Sequence, residues 1–462
     1  MVLVATLCAV LAGVVLMPRV AIPVLLVVLA LQDAVVRNLT PSFPALASVL
    51  QSIHEIALLA AGVRVLLLVA GRRMDWFRMV DWVWPLVFVV AGVLSSVTHW
   101  VGVKPALLGL VLASKFFGFL ALVLSVPWEE KDGERLIRGV AWAVPVLLVT
   151  GLIGYLMADF TARHFLATEG DTEYTRGGVT PFMVPFINPT LYGWAMAVGT
   201  LAWFALFIER RSRLGLVGVL GGAVGVVLSL KRRPLIGIPL AVLSGVVALS
   251  GRQRRRLLVA AAVLMAVGVW FGAGLIRVTI DDLVRNYFDP VAREQTARGA
   301  TIAVSILLAQ RAFPLGQGFG SFGGYAAQYY YSGVYDEFGM SHIYGLSPDA
   351  PYYLTDTYWP HILGEAGVIG TLAMLCSLYY LWKKSRQIYQ DRSQSDSIRL
   401  TALFGSLVLV EAIAESLGGP VFEFGLQALM ITLPIGMALR LSRGAPLRPR
   451  NPEAESVAQQ PT

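Results

Sequence analysis

Residues 189–256 read PTLYGWAMAVGTLAWFALFIERRSRLGLVGVLGGAVGVVLSLKRRPLIGIPLAVLSGVVALSGRQRRR. Three apolar runs, 189–208, 214–230 and 234–250, are each closed by a short basic cluster. Runs of this length match the hydrocarbon core of a bilayer crossed by an α-helix. A helix satisfies every backbone polar group internally, which is the condition for crossing. The same pattern recurs outward in both directions. Apolar runs occupy 2–17, 20–36, 53–70, 82–99, 105–126 and 140–158 before it, and 257–276, 361–382, 400–416 and 425–441 after it. The reading is an all-α polytopic membrane protein of 13 spans, or of 12 if the runs flanking Pro18-Arg19 form one kinked element.

Bulk composition agrees. Of 462 residues, 56% are hydrophobic and 14% charged, with mean hydropathy +0.67; a soluble chain carries about 25% charged residues. Short alternating segments of the barrel type are absent from the pattern. The net charge of +8 sits in clusters beside the spans, as the positive-inside rule requires, so nucleic acid is not the expected partner. Cys8 and Cys376 lie within apolar runs and predict neither a disulfide nor a metal site. The N-terminus lacks a basic n-region and a small-residue cleavage site, so no cleaved signal peptide is expected.

Clusters at 72–73, 127–139, 209–213, 251–256, 383–399 and 440–450 fall on one face, expected to be cytoplasmic. The chain then divides into N-terminal spans (1–158), central spans with a first outer loop and a basic turn (159–276), a large outer loop (277–360), C-terminal spans (361–442) and a disordered cytoplasmic tail (443–462). The large loop is the one long polar region, and in a bacterial inner membrane it would be periplasmic. Lys231-Arg232-Arg233 breaks the rule by falling on the outer face between two tight spans. Misplaced cations of this kind are functional candidates; a snorkelling turn or a miscounted span is the alternative.

Other candidates cluster around the outer loops. Arg176 precedes Gly177-Gly178, where backbone can approach a ligand closely, and an arginine there can grip phosphate bidentately; a loop arginine paired with Glu173 or Asp171 is the structural alternative. Residues 279–312 predict an Arg298-led amphipathic helix on the membrane surface, with Ile302, Ile306 and Ala309 on its apolar face. Its end, Pro314-Leu315-Gly316-Gln317-Gly318-Phe319-Gly320, is read as a structural turn, because no strand precedes it as a nucleotide loop requires. Tyrosines follow in number, Tyr352 and Tyr353 among them, and rings beside carboxylates suit carbohydrate. Asp356 is either a helix cap or a general base. His361, in the first helical turn after Pro360, is either packed or substrate-binding.

Four stretches, taken in order, resemble the O-antigen ligase and Wzy-type polysaccharide polymerase superfamily. They are RGGVTPFMVPFINPTLYGW (176–194), LSLKRRPLIG (228–237), ARGATIAVSILLAQRAFPLGQGFGSF (297–322) and TDTYWPHILGEAGVIGTL (355–372). The resemblance implies an all-helical, GT-C-like membrane glycosyltransferase that moves a glycan from undecaprenyl diphosphate to an acceptor hydroxyl. It implies no cofactor and no metal, and a flippase and a chain-length regulator as partners of a polymerase. By the same resemblance Arg176 and Arg232 or Arg233, with Lys231, would hold the diphosphate, and Arg298 would support them. Asp356 would activate the acceptor where ligases usually carry histidine, which tilts the expectation from ligase to polymerase. The rival classes are a lipid-linked oligosaccharide flippase, for which the sequence lacks a clear repeat, and a glycosyltransferase using a polyprenyl-phosphate sugar, for which Asp33 is an isolated first-loop acid.

Overall fold

The computed structural model describes residues 2–73, 76–165, 180–210, 213–247 and 296–444. Among them the secondary structure is helical, without named strands. Helices α1 (Val2–Leu16), α2 (Pro18–Leu39), α3 (Pro44–Gln51), α4 (Ile53–Ala70), α5 (Met79–Thr98), α6 (Val103–Leu124), α7 (Glu130–Leu156), α8 (Ala158–Phe165), α9 (Pro189–Arg210), α10 (Arg213–Leu228) and α11 (Arg233–Val247) precede the large loop. The loop carries α12 (Ala297–Arg311), α13 (Gly324–Tyr330) and α14 (Val334–Glu337), and α15 (Trp359–Gln390), α16 (Asp396–Glu415) and α17 (Gly425–Gly444) close the chain. Among the described residues nine helices are long and apolar enough to cross a membrane. The chain is a multi-pass membrane protein. Every expected apolar run within the described residues forms a helix; the run at 257–276 and residues 445–462 of the tail lie outside them, while 443–444 end α17.

Three boundaries differ from the expectation. The charged stretch after Pro127 is not a connector beyond Glu129 but the first turns of α7. Glu129 and Asp132 form a reciprocal capping box there, which satisfies two N-terminal amides and starts the helix inside the charged segment. α15 likewise runs on through Lys383 and Lys384 to Gln390. The loop at 37–52 contains the short α3, started by Pro44 in its first turn.

The apolar windows of α9, α16 and α17 are 78%, 83% and 78% buried, whereas those of α2 and α4 are 22% buried. The first group therefore forms the centre and the second the lipid-facing shell. Side chains such as Leu66 of α4, Val97 of α5 and Val149 of α7 project outward, an arrangement unfavourable in water and natural in hydrocarbon. α10 lies close along α9 because Gly218, Gly222 and Gly225 leave no side chain against Trp203, Thr200 and Met196. Small residues at this spacing are how membrane helices gain van der Waals contact without a hydrophobic drive.

Basic residues from several described segments pair with acids between helix ends. Arg19 pairs with Glu129 and Asp132, Arg210 with Glu134, and Arg399 with Glu209. Arg443 joins the buried Asp81, which also accepts from the Tyr380 hydroxyl at 2.7 Å.

The large loop folds over α15. It has its own core of Val304, Leu308, Phe322, Tyr335, Met340 and Leu354. The face expected of the Arg298-led helix is met only in part, with Ala309 buried and Ile302 half-buried. α12 buries Ala300, Val304 and Leu308 against α15 and the loop, while Ile306 faces outward. Residues 314–324 then form a strap bound to two distant helices. The Gly316 and Phe319 amides donate to Ser95 and Ser96 on α5, at 3.1 and 2.8 Å, and the Gln317 and Gly318 amides donate to the carbonyls of Gly364 and Glu365 on α15, both at 2.8 Å. The glycines are required by this contact: Cβ atoms at Gly316 and Gly320 would overlap the backbone at Glu365 and Pro105. The glycine run is thus a structural turn.

Candidate functional site

Beneath the large loop lies a cavity of about 700 Å³. Its walls come from helix ends far apart in sequence. One wall is cationic. Lys231 and Arg233 line it from the turn between α10 and α11. Leu230 takes a left-handed conformation (φ 54°) and the Lys231 amide donates to Ser229 Oγ at 3.2 Å, which together reverse the chain within three residues.

The Arg233 guanidinium rests on Gly418 and Gly419, at the end of α16. A Cβ at Gly418 would lie 2.6 Å from Nη2 and closer still to Nε and Cζ, and one at Gly419 would lie 3.0 Å from Nη1. Only bare backbone leaves room for the group. Glu415 interacts electrostatically with both Arg233 and Lys231, with Glu411 buried one turn below. Glu415 supplies counter-charge that lets a basic turn sit where membrane insertion disfavours it.

Three helix N-termini open on the same space: Pro189 to Leu191 of α9, Arg233 of α11, and Phe424 and Gln427 at the start of α17. Asn188 caps the first of them, its side-chain oxygen accepting the Thr190 amide at 2.7 Å. Helix N-termini present unpaired amides and a positive dipole end. With Lys231 and Arg233 they make a wall suited to a phosphate or diphosphate.

The opposite wall is acidic and aromatic. Asp356 lines it and accepts from Arg298 of α12 at 3.3 Å. Asp33 of α2, Tyr325, Tyr352 and Tyr353 complete it. The Tyr325 ring stands edge-on to Phe424, with centroids 5.5 Å apart. Burial first, then the charges of Glu423, Asp33 and Asp356, push the Tyr325 hydroxyl well above its ordinary pKa, so it stays a neutral donor.

The geometry therefore brings together Lys231, Arg233, Arg298, Tyr352, Tyr353 and Asp356. Arg232 occupies the same turn but does not line the cavity. Arg176 lies outside the described residues.

His361 does not line the cavity. Its ring is buried, with Nε2 2.9 Å from Glu365 and Nδ1 3.2 Å from Glu423. Gly323 and Gly324, both at positive φ, press on the imidazole. The Glu365 carboxylate also accepts the Phe322 amide at 3.0 Å, which ties the strap to α15. Behind Glu423 the charges continue through Lys115, which is 3.4 Å from Glu55. This buried chain braces the turn at 418–425 on which Arg233 rests. The tyrosine run also divides: Tyr335 and Tyr358 are wholly buried packing residues, while Tyr329 and Tyr344 are exposed away from the cavity.

The sequence reading missed Glu415 and Glu423, took Tyr325 only as one of the loop's many tyrosines, and treated Asp33 only as a rival's residue. Acids inside or beside apolar runs, as in VEAIAES (410–416), are the signal that could have found the first two. No protein-family model matches the sequence, and no curated protein matches it.

Proposed function

We propose that this protein is a membrane glycosyltransferase of the polysaccharide-polymerase type. It transfers a glycan from undecaprenyl diphosphate to the hydroxyl of an acceptor lipid-linked repeat unit, on the outer face of a bacterial inner membrane. The observation that carries the reading is the division of one cavity into a cationic wall with helix N-termini and an acidic, aromatic wall. Diphosphate leaves readily once its growing charge is met by fixed donors. Lys231 and Arg233 are the donors in this reading. Asp356 takes the acceptor proton as the oxygen attacks the anomeric carbon, and Arg298 holds the carboxylate in place. A single displacement inverts the anomeric configuration. Tyr352 and Tyr353 offer ring faces to the sugars. A flippase and a chain-length regulator are the partners this role would have.

The test is purified protein in nanodiscs with undecaprenyl-diphosphate-linked repeat units from producing cells. Longer glycan supports a polymerase. Transfer to lipid A core instead makes it an O-antigen ligase, and movement across the bilayer without a new bond makes it a flippase. Asp356→Asn should lower turnover by about 10²–10⁴-fold, the range of general-base catalysis, while Arg233→Ala should weaken donor binding. Wild-type rates in both variants would remove the mechanism.

A further inference from the structure

The proposed chemistry uses one carboxylate on the acidic wall, yet two are present. Asp33 contributes the only cavity-lining side chain of α2. Its carboxylate accepts no hydrogen bond and joins no ion pair among the described residues; His54 acts on it through space. The Tyr325 hydroxyl likewise meets no hydrogen-bond partner among the described residues, and it feels the charges of both Asp33 and Asp356. One oxygen of Asp356 is engaged by Arg298, through Oδ2, and Oδ1 has no described partner. The acidic wall therefore holds spare acceptor oxygens beside the Tyr325 hydroxyl and an aromatic face. A polar group in a sheltered site lacking a partner favours a ligand that completes its hydrogen bonding.

We infer that Asp33 and Tyr325 form the acceptor subsite, and that it takes the uncharged, hydroxyl-bearing end of a glycan while rejecting one that ends in a carboxylate or phosphate. Sugar hydroxyls supply the donors that Asp33 and Asp356 lack, and the Tyr325 hydroxyl returns one. An anionic terminus would instead lie against two carboxylates in a partly desolvated space, where like charges repel strongly. The diphosphate of the donor has its own wall on Lys231 and Arg233, so each substrate is sorted by charge. This inference rests on the glycosyltransferase reading and adds the acceptor's class to it.

The experiment uses full-length protein in nanodiscs, with cell-extracted lipid-linked repeat as donor and acceptor. A second acceptor is the same repeat with its primary hydroxyls oxidised to carboxylates. In wild type the oxidised acceptor should show a KM at least about tenfold higher, the scale of one lost or repelled polar contact. Asp33→Asn should raise the KM for the native acceptor, leave kcat within a few-fold and narrow the gap between the two acceptors. Tyr325→Phe should raise the KM alone. Binding of inorganic pyrophosphate should be unchanged in both variants. An Asp33→Asn protein with wild-type acceptor KM, or equal use of both acceptors by wild type, overturns the inference while leaving the transferase intact. A wild-type protein that binds pyrophosphate but transfers nothing overturns the transferase reading itself.

Discussion

Gly418→Ala is a one-methyl test of how Arg233 is held. The added Cβ would fall within 2.6 Å of the guanidinium Nη2, and closer to Nε and Cζ. Gly418 is not in the left-handed region, so alanine fits the backbone. The obstructing atoms are the far end of a flexible side chain, which gives way while the helix termini stay. The fold should therefore survive and the guanidinium should leave its seat. A hydrogen bond to a charged group is worth about 1.5–3 kcal/mol, and about 1.4 kcal/mol is tenfold in affinity. Loss of the Arg233 contact thus predicts a weakening of pyrophosphate or undecaprenyl-diphosphate binding of roughly 10- to 150-fold. Calorimetry on purified protein in nanodiscs reads the affinity, and a thermal melt checks the fold. Gly419→Ala, whose Cβ would lie 3.0 Å from Nη1, should cost less. Arg233→Ala should cost as much as Gly418→Ala, and the double variant no more than either, because both remove one contact. Wild-type affinity in a folded Gly418→Ala protein would refute the argument, as would full additivity in the double variant.

Two further outcomes concern the frame around the cavity. Gly367 interrupts α15 at φ 68°, and a Cβ there would overlap the Leu315 carbonyl group. Gly367→Ala should lose about 1–2 kcal/mol from the left-handed backbone and about 1–3 kcal/mol from the overlap, measured as a lowered melting midpoint. Glu423 is the pH probe. Burial pushes its carboxyl above the usual glutamate range; His361 and Lys115 oppose that shift and Glu365 adds to it. The folded state then binds the proton more tightly than the unfolded chain. The stabilisation from this group is complete below the unfolded pKa and falls away as pH rises through the raised one. Glu423→Gln should remove that part of the slope in denaturation midpoints taken from pH 4 upward; an unchanged slope would contradict the burial argument.

The spans were legible because hydrocarbon imposes one rule on every crossing segment: long, apolar and helical. Lys231-Arg232-Arg233 was legible for the converse reason, since cations between two tight spans break that rule. The choice between Arg232 and Arg233 was not legible. It depends on Gly418 and Gly419, about 185 residues later in the chain, which leave space for one guanidinium. The buried face of α12 was only partly legible: Ala309 is buried as expected, but the face that meets α15 runs through Ala300, Val304 and Leu308 and leaves Ile306 outside. His361, in a first helical turn, could be read either as packed or as substrate-binding. The loop that covers it is closed by glycines 37 and 38 positions earlier, a contact no local pattern encodes.

The strap at 314–324 has a consequence for the order in which the protein matures. Its amides are held by Ser95 and Ser96, more than two hundred residues upstream, and by carbonyls of Gly364 and Glu365, some forty-five residues downstream. The cavity itself draws on Asp33 near one end of the chain and Gln427 near the other. During synthesis from the N-terminus, α5 must already be inserted to receive the strap, and α15 must emerge before the strap has its second anchor. The turn that seats Arg233 is made later still, with α16 and α17. A nascent chain thus carries its basic turn without its seat for the next 185 or so residues of synthesis, and the two walls of the cavity meet only as the last helices dock.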